Sequence, residues 1–489
     1  MLTHLRSNRS TIFFTIVLFV LLVQFGFALF EYTRHAQAAI AFPFPLDYGE
    51  GPILDQTIRL ARWENIYRSD LSKPPYTISN YPPVFPLIQV PFARIFGPAF
   101  WYGRAISILG VALAALCVGL TLHTLTDDWI ASSIGGLTLP AFPYIVHWSA
   151  FNRVDSLALG LSWAGLCVIV RWPDRRKGLI FSGILMSAAM YTKQSYALVA
   201  PLTAFAWLLQ VKQRRRAVQL AGFVGGMCLG LFVLLNALTH GGFYFNLVTA
   251  NINAFSARTA YWYFLEISMT AFYLLLSGLM FVILERLSHQ TRSWPFVMPY
   301  CLAAALVGFT SGKAGSSVNY LFEPAAALSL AAGAIVAWAG KNYWLKAAAV
   351  LLLAVQIHVM VNVSRERFMP MVLSKVHSVA EISQLAAIVK DAPEPVLADE
   401  YMGLLPLTGQ TLSFQPFEFS QLSEAGMWDD SAFIAAIQDR EFSTILLYEP
   451  ATGRPMIVSR WTKPIRDAIW DNYRLERQLA GTWLYVPRK

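Results

Sequence analysis

The sequence predicts a mainly α protein: a polytopic transmembrane helix bundle of about 11 helices, with a small α/β soluble domain at its C-terminal end. Three observations carry that expectation. Of 489 residues, 56% are hydrophobic and 14% charged, and mean hydropathy is +0.48, whereas soluble domains are roughly a quarter charged. Apolar runs long enough for the hydrocarbon core recur up to about residue 362. Beyond residue 363 charged residues return to ordinary density, so the domains are read as 1–362, membrane-embedded, and 363–489, soluble.

The first run, Thr11 to Phe30, is read as a retained helix rather than a cleaved signal. Further runs lie at 101–123, 130–147, 156–170, 179–191, 195–211, 217–238, 263–284, 295–311, 320–340 and 344–362. Fourteen basic residues, from Arg6 and Arg9 through Arg292, Lys341 and Lys346, fall in one set of short connections, against Arg153, Lys193, Arg258 and Lys313 in the other. This asymmetry places the N-terminus in the cytoplasm and the tail outside, in a cell (inner) membrane. The formal charge of +9 is then topological, and no nucleic-acid partner is expected.

Between the first two runs, Leu54, Ile58, Ala61 and Ile66 recur near helical spacing and predict an interfacial helix; a second should follow the segment Asn80 to Pro86. In the tail, Val376–Ile388 and Asp430–Ile437 read as helices, and Pro395–Ala398 and Ser443–Tyr448 as buried strands. The four cysteines all fall in apolar runs and imply neither a disulfide framework nor a zinc site. No Walker loop, dinucleotide fingerprint or HExxH occurs, which removes nucleotide-driven pumping and zinc proteolysis.

The candidate chemistry collects on the outer side. Asp47 and Glu50 lie in a turn flanked by Pro45, Gly49, Gly51 and Pro52; either could instead cap a helix beginning at Pro52. Asp155 opens the fourth run, where a lone carboxylate calls for a partner such as Arg153 or Arg104, or for a job. Each outer loop carries one cation, suited to a lipid phosphate: Arg153, Lys193, Arg258 and Lys313, the last in a Gly/Ser loop leading to Asn319 and Tyr320. Asp399 and Glu400, at a strand end without a nearby His, Cys or glycine-rich loop, read as structural.

In their order and shared side, Asp47-Tyr-Gly-Glu50-Gly, Tyr81-Pro82-Pro83, Gly103-Arg104, Arg153-Val-Asp155 and Thr192-Lys193-Gln194 resemble the GT-C type of membrane glycosyltransferase. The resemblance is to bacterial relatives of protein mannosyltransferases and of the lipid A aminoarabinose transferase, over residues 10–362. The mannosyltransferases' adjacent Asp-Glu pair is here spread to Asp47 and Glu50. The resemblance implies an inverting transfer of a sugar from a polyprenyl-phosphate donor to an acceptor hydroxyl on a glycan, lipid or protein. It implies Asp47 as base with Glu50 its rival, and Asp155 orienting the acceptor. Lys193, Arg153, Arg258 and Lys313, with Tyr81, Asn319 and Tyr320, would bind substrate. No cofactor is certain; a divalent metal (Mg or Mn) held by Asp47, Glu50 and Asp155 is the option. The rival function, a transporter or lipid flippase, would favour mid-membrane charges and internal repeats.

Overall fold

Each expected apolar run forms helix, but not each forms a full-length span. The structure, a computed structural model, describes residues 2–251, 253–288, 291, 293–448 and 460–489, with side chains from residue 9 on; Arg292, and the Arg6 side chain, lie outside them. The bundle comprises α1 (Leu2–Ala41), α4 (Trp101–Thr126), α5 (Trp129–Ala141), α7 (Asp155–Arg171), α8 (Arg176–Thr192), α9 (Val199–Gln210) and α10 (Arg214–Leu238), then α12 (Ala257–Thr270), α13 (Phe272–Ser288), α14 (Trp294–Gly308), α15 (Phe322–Trp338) and α16 (Tyr343–Val363). Between these lie α2 (Glu50–Ala61), α3 (Val84–Phe96), α6 (Pro143–Trp148) and α11 (Gly242–Leu247).

Among the described residues six helices are long and apolar enough to cross a membrane, or seven if one bent pair counts as a single span, so the expected eleven is not the number that emerges. The differences have local causes. Run 130–147 breaks at Phe142, between Pro140 inside α5 and Pro143 at the start of α6, because proline removes a helical donor. Run 263–284 is two helices meeting at 90°. The buried Gln356 of α16 spans that bend: its Oε1 accepts from Tyr273 N at 2.9 Å and its Nε2 donates to Thr270 O at 2.7 Å. Backbone groups opened by the bend thus keep partners where lipid offers none.

Packing is closest where side chains vanish. A Cβ on Gly110 of α4 would lie 2.5 Å from Ser156 backbone, and one on Gly160 of α7 would lie 2.6 Å from Gly110 O, so these helices touch main chain to main chain. α15 is the central helix, with 94% of its apolar window buried; only 11% of the α10 window is buried, which fits a lipid-facing helix.

The loop between α1 and α4 carries the two expected helices, α2 and α3, although α2 begins at Glu50 rather than Pro52 and neither acidic side chain caps it. In the tail, the helix expected at 376–388 is two, α17 (Met369–His377) and α18 (Val379–Asp391). β1 (Val396–Ala398), β2 (Thr444–Tyr448), β3 (Tyr473–Leu479) and β4 (Thr482–Pro487) form a sheet in the order β1-β2-β4-β3, with β1 and β2 parallel and the rest antiparallel. The tail does not close its core alone: Leu71, Tyr76 and Ile78 of the first loop pack among Phe414, Phe419, Trp428 and Phe433. That loop therefore sits between the bundle and the tail.

Candidate functional site

The first loop, the segments 147–153, 193–195 and 310–320, Asn251 and Asn253, and residues of the tail enclose a cavity of about 690 Å³. Its lining includes Asp47, Tyr81, Arg153, Lys193, Lys313 and Tyr320. These lie 273 positions apart along the chain at the extremes (320 − 47), yet share one wall system because the ends of α1, α6, α8 and α14 come together.

Asp47 is the one carboxylate of the expected set that faces this space. Its Oδ2 accepts from Gly49 N at 2.9 Å, closing the turn, and lies 3.4 Å from Arg153 Nη1. Its side chain keeps 23% of its surface open. Burial raises its pKa above the ordinary carboxylate value; the Arg153 guanidinium opposes that, and Glu400 and Glu50 add to it. A Cβ on Gly49 would fall 1.2 Å from Arg153 Nη1, so a larger residue here would push the guanidinium from its place beside Asp47.

Glu50 departs from the expectation of a catalytic rival. It is wholly buried, it does not line the cavity, and its acceptors are engaged: Oε1 takes Arg104 Nε at 2.9 Å and Asn152 N at 2.6 Å, while Oε2 takes Arg104 Nη2 and Leu46 N, each at 2.7 Å. Arg104, equally buried, also donates to the carbonyls of Ala39, Phe42 and Phe44. This pair pins the end of α1 to α2 and α4.

Asp155 is also withdrawn from the expected acceptor or metal role. It is buried behind the wall, with Oδ2 accepting from Trp148 Nε1 at 2.8 Å and Oδ1 from Lys193 Nζ at 2.5 Å and Asn319 Nδ2 at 2.8 Å. Its partner is Lys193, not Arg153 or Arg104. Asn319 is thus a support for Asp155 rather than a lining residue, and Arg258 lies exposed on α12, away from the cavity. Asp47, Glu50 and Asp155 therefore do not converge, and among the described residues no group of three His, Cys, Asp or Glu is placed to hold a metal. The donor set does not fit a divalent ion as arranged.

The cations differ in how far they are committed. Arg153 has Asp47 beside it and lies over the rings of Trp148 and Tyr81, at 5.2 and 6.0 Å. Lys193 is held by Asp155 and sits 4.4 Å from the Tyr320 ring centroid. Lys313 makes a hydrogen bond to the neutral Asn251 Oδ1 at 2.7 Å, and no carboxylate pairs with it among the described residues. Burial, together with Lys193, lowers its pKa from the ordinary lysine value. Lys313 is the cation with spare charge.

The tail supplies lining that sequence reasoning missed: Phe417, Glu418 and Arg460. Tyr48 donates its hydroxyl to Glu418 Oε2 and accepts from Phe417 N, both at 3.0 Å, while the Arg460 guanidinium lies 4.3 Å over its ring. Behind them Glu400 bridges Lys375 Nζ at 2.6 Å and Arg460 Nη1 at 2.8 Å, and Lys375 also donates to Leu46 O at 3.0 Å. Burial alone would raise the Glu400 carboxyl, but Lys375 and Arg460 hold it down at about 2. Tyr48, set between the two acidic residues of its own motif, was open to suspicion; Glu418 and Arg460 carry no local signal.

Comparison with known proteins agrees with this architecture. Residues 80–240 match the family described as dolichyl-phosphate-mannose-protein mannosyltransferase. The fold is similar to that of ArnT from Cupriavidus metallidurans in the apo state, with a TM-score of 0.64 at 13% identity over 94% of this chain and 97% of that one. The same protein bound to undecaprenyl phosphate gives 0.63 at 14% identity, over the same shares of 94% and 97%. The Archaeoglobus fulgidus oligosaccharyltransferase in complex with Zn and sulfate gives 0.50 at 12% identity, over 93% of this chain and 73% of that one. No curated protein matches the sequence.

Proposed function

From the GT-C fold that this multi-pass membrane chain shares with membrane glycosyltransferases, we propose that it transfers a sugar from a polyprenyl-phosphate donor to an acceptor hydroxyl, with inversion, on the outer face of the membrane. The observation that carries the reading is the presence, in one cavity, of a solvent-reachable carboxylate, Asp47, and of a cation, Lys313, with no carboxylate partner among the described residues.

The chemistry follows from that combination of groups. The acceptor oxygen attacks the anomeric carbon as the bond from that carbon to the phosphate oxygen breaks, and the bonding pair leaves with the lipid phosphate. Asp47 takes the hydroxyl proton, and its raised pKa makes it a better base than an ordinary aspartate while Arg153 favours its ionised form. Lys313, with Lys193 behind it, stabilises the charge gathering on the departing phosphate. Asp155 serves as a positioning residue that holds Lys193. The undecaprenyl phosphate in the ArnT complex supports a lipid-phosphate donor for this chain. The acceptor enters under Tyr48, Glu418 and Arg460, whose polar groups suit a hydroxyl-rich molecule.

The direct test is transfer by the purified chain of a radiolabelled sugar from synthetic polyprenyl-phosphate donors, in wild type and in Asp47→Asn. Wild-type transfer with anomeric inversion, abolished in a folded Asp47→Asn, is the expected result. Retention of configuration, or an Asp47→Asn variant at wild-type turnover, overturns the reading.

A further inference from the structure

A second cavity, of about 580 Å³, lies far from the first and belongs to none of the chemistry above. It is lined by Arg176, Arg215 and Arg216, by Gln219, and on its other side by Leu179, Ile180 and Phe223. Arg176 begins α8, and Lys193 of the first cavity follows the other end of that helix. At about 1.5 Å per residue, the 17 residues of α8 separate the two by roughly 25 Å, close to the hydrocarbon thickness. The second cavity therefore opens at the opposite membrane face.

Its construction is specific to an anion attached to an apolar chain. α8 and α10 both start at the cavity, and neither N-cap residue, Arg175 or Gln213, caps its helix with a side chain. Two sets of first-turn N–H groups and two positive dipole ends thus meet beside the arginines. Arg216 is fixed by donating from Nη2 to Asp174 O at 2.7 Å, and the Asp174 carboxylate is drawn off by Gln213 Nε2 at 2.5 Å. No hydrogen bond or ion pair holds Arg176 or Arg215 among the described residues. On the apolar side the half-buried Phe223 lies against Gly183, where a Cβ would come within 2.4 Å of its ring, so the aromatic wall packs directly on α8. A free anion would leave that wall unused.

We propose that this cavity binds the phosphate headgroup of an anionic phospholipid in the leaflet opposite the first cavity, with the phosphate on Arg176 and Arg215 and the proximal acyl chain along Leu179, Ile180 and Phe223. The site tethers α8 and α10 at one face while α8 presents Lys193 at the other.

The test uses the full chain, delipidated in neutral detergent and titrated by native mass spectrometry with dioleoylphosphatidylglycerol, dioleoylphosphatidylcholine or inorganic phosphate. Arg176→Gln with Arg215→Gln should weaken phosphatidylglycerol retention at least tenfold. Arg286→Gln with Lys341→Gln, which removes the same charge from exposed positions outside the cavity, should change it less than twofold. Phe223→Ala, which leaves every charge in place, should also weaken retention and stands in if the double arginine variant does not fold. Equal losses in both double variants, unchanged retention in Phe223→Ala, equal retention of phosphatidylcholine, or displacement by millimolar phosphate would each overturn the proposal.

Discussion

Glu50→Gln and Asp47→Asn should fail in opposite ways, although the two residues are three positions apart and carry the same charge. Glu50 and Arg104 have no solvent-exposed side-chain surface, and the carboxylate accepts from two guanidinium nitrogens and two backbone amides. The amide would leave the buried Arg104 cation without a countercharge, its acceptors reduced to the Gln oxygen and the Ala39, Phe42 and Phe44 carbonyls, and would turn an NH2 toward donors already in place. Breaking a buried pair by removing one partner costs about 3–5 kcal/mol. At roughly 2 °C per kcal/mol for a large chain, the melting temperature should fall by about 6–10 °C. Asp47→Asn instead removes a base from a partly open cavity, where general base catalysis contributes roughly 10²–10⁴ in rate, and should leave the melting temperature within about 2 °C because Arg153 retains solvent and ring contacts. Thermal unfolding followed by intrinsic fluorescence, read beside turnover of the same preparations, separates the two. An Asp47→Asn protein at full turnover beside a folded but inactive Glu50→Gln protein of unchanged melting temperature would refute both assignments.

The remaining predictions use the same site. Lys313→Ala should raise the donor KM about tenfold with acceptor KM and melting temperature unchanged, measured by varying each substrate in turn; Lys193→Ala should lose both activity and stability, since it strands Asp155. In wild type the acid limb of kcat/KM should lie above the ordinary aspartate range, because protonating Asp47 disables the base, and Arg153→Gln should move that limb to higher pH by removing the opposing cation. Docking of the tail through Glu400 should be intact above about pH 4.5 and be lost as pH falls toward about 2, because the folded state holds the carboxyl below its ordinary 4.5; protease susceptibility of the tail checks it. With the native cysteines replaced, Lys390→Cys and Ser195→Cys should react with an impermeant thiol reagent in intact cells, and Lys177→Cys only after permeabilisation. Labelling of Lys177→Cys in intact cells would reverse the proposed orientation.

What the sequence revealed and what it concealed divide along the range of the interactions. The turn at Asp47 was legible because its proline and glycine neighbours act locally, and β1 and β2 because short apolar segments bounded by polar ones read as buried strands. The break at Phe142 carries a local mark, Pro140 and Pro143, which the reading of 130–147 as one run passed over, whereas the bend at Ala271 has neither Pro nor Gly and depends on Gln356, 85 residues away. The choice between Asp47 and Glu50 was hidden for the same reason: it is made by Arg104, 54 residues along, which claims one carboxylate and leaves the other facing the cavity. Asp155 was singled out correctly as a carboxylate needing a partner, yet the partner, Lys193, is 38 residues away, so each looked like an independent functional group until they neutralised one another.

That cancellation shapes the chemistry proposed for the cavity. Of the four cations at its wall, Arg153 faces Asp47, Lys193 faces Asp155 and Arg460 faces Glu400. Only the remaining one, Lys313, lacks a carboxylate among the described residues. A lipid phosphate entering the cavity therefore meets one cation without a carboxylate partner, at a defined place, and three ion pairs that hold the surrounding walls, while the Glu418 carboxylate is engaged by Tyr48 and Asn80. With the phosphate fixed at Lys313, Asp47 of the same cavity remains available to take the acceptor's proton, as a displacement at the anomeric carbon requires. On this account Lys313→Glu should be more damaging than Lys313→Ala, because it opposes the leaving phosphate with a second negative charge instead of merely failing to attract it. Equal donor KM values for the two variants, at equal stability, would place the phosphate elsewhere.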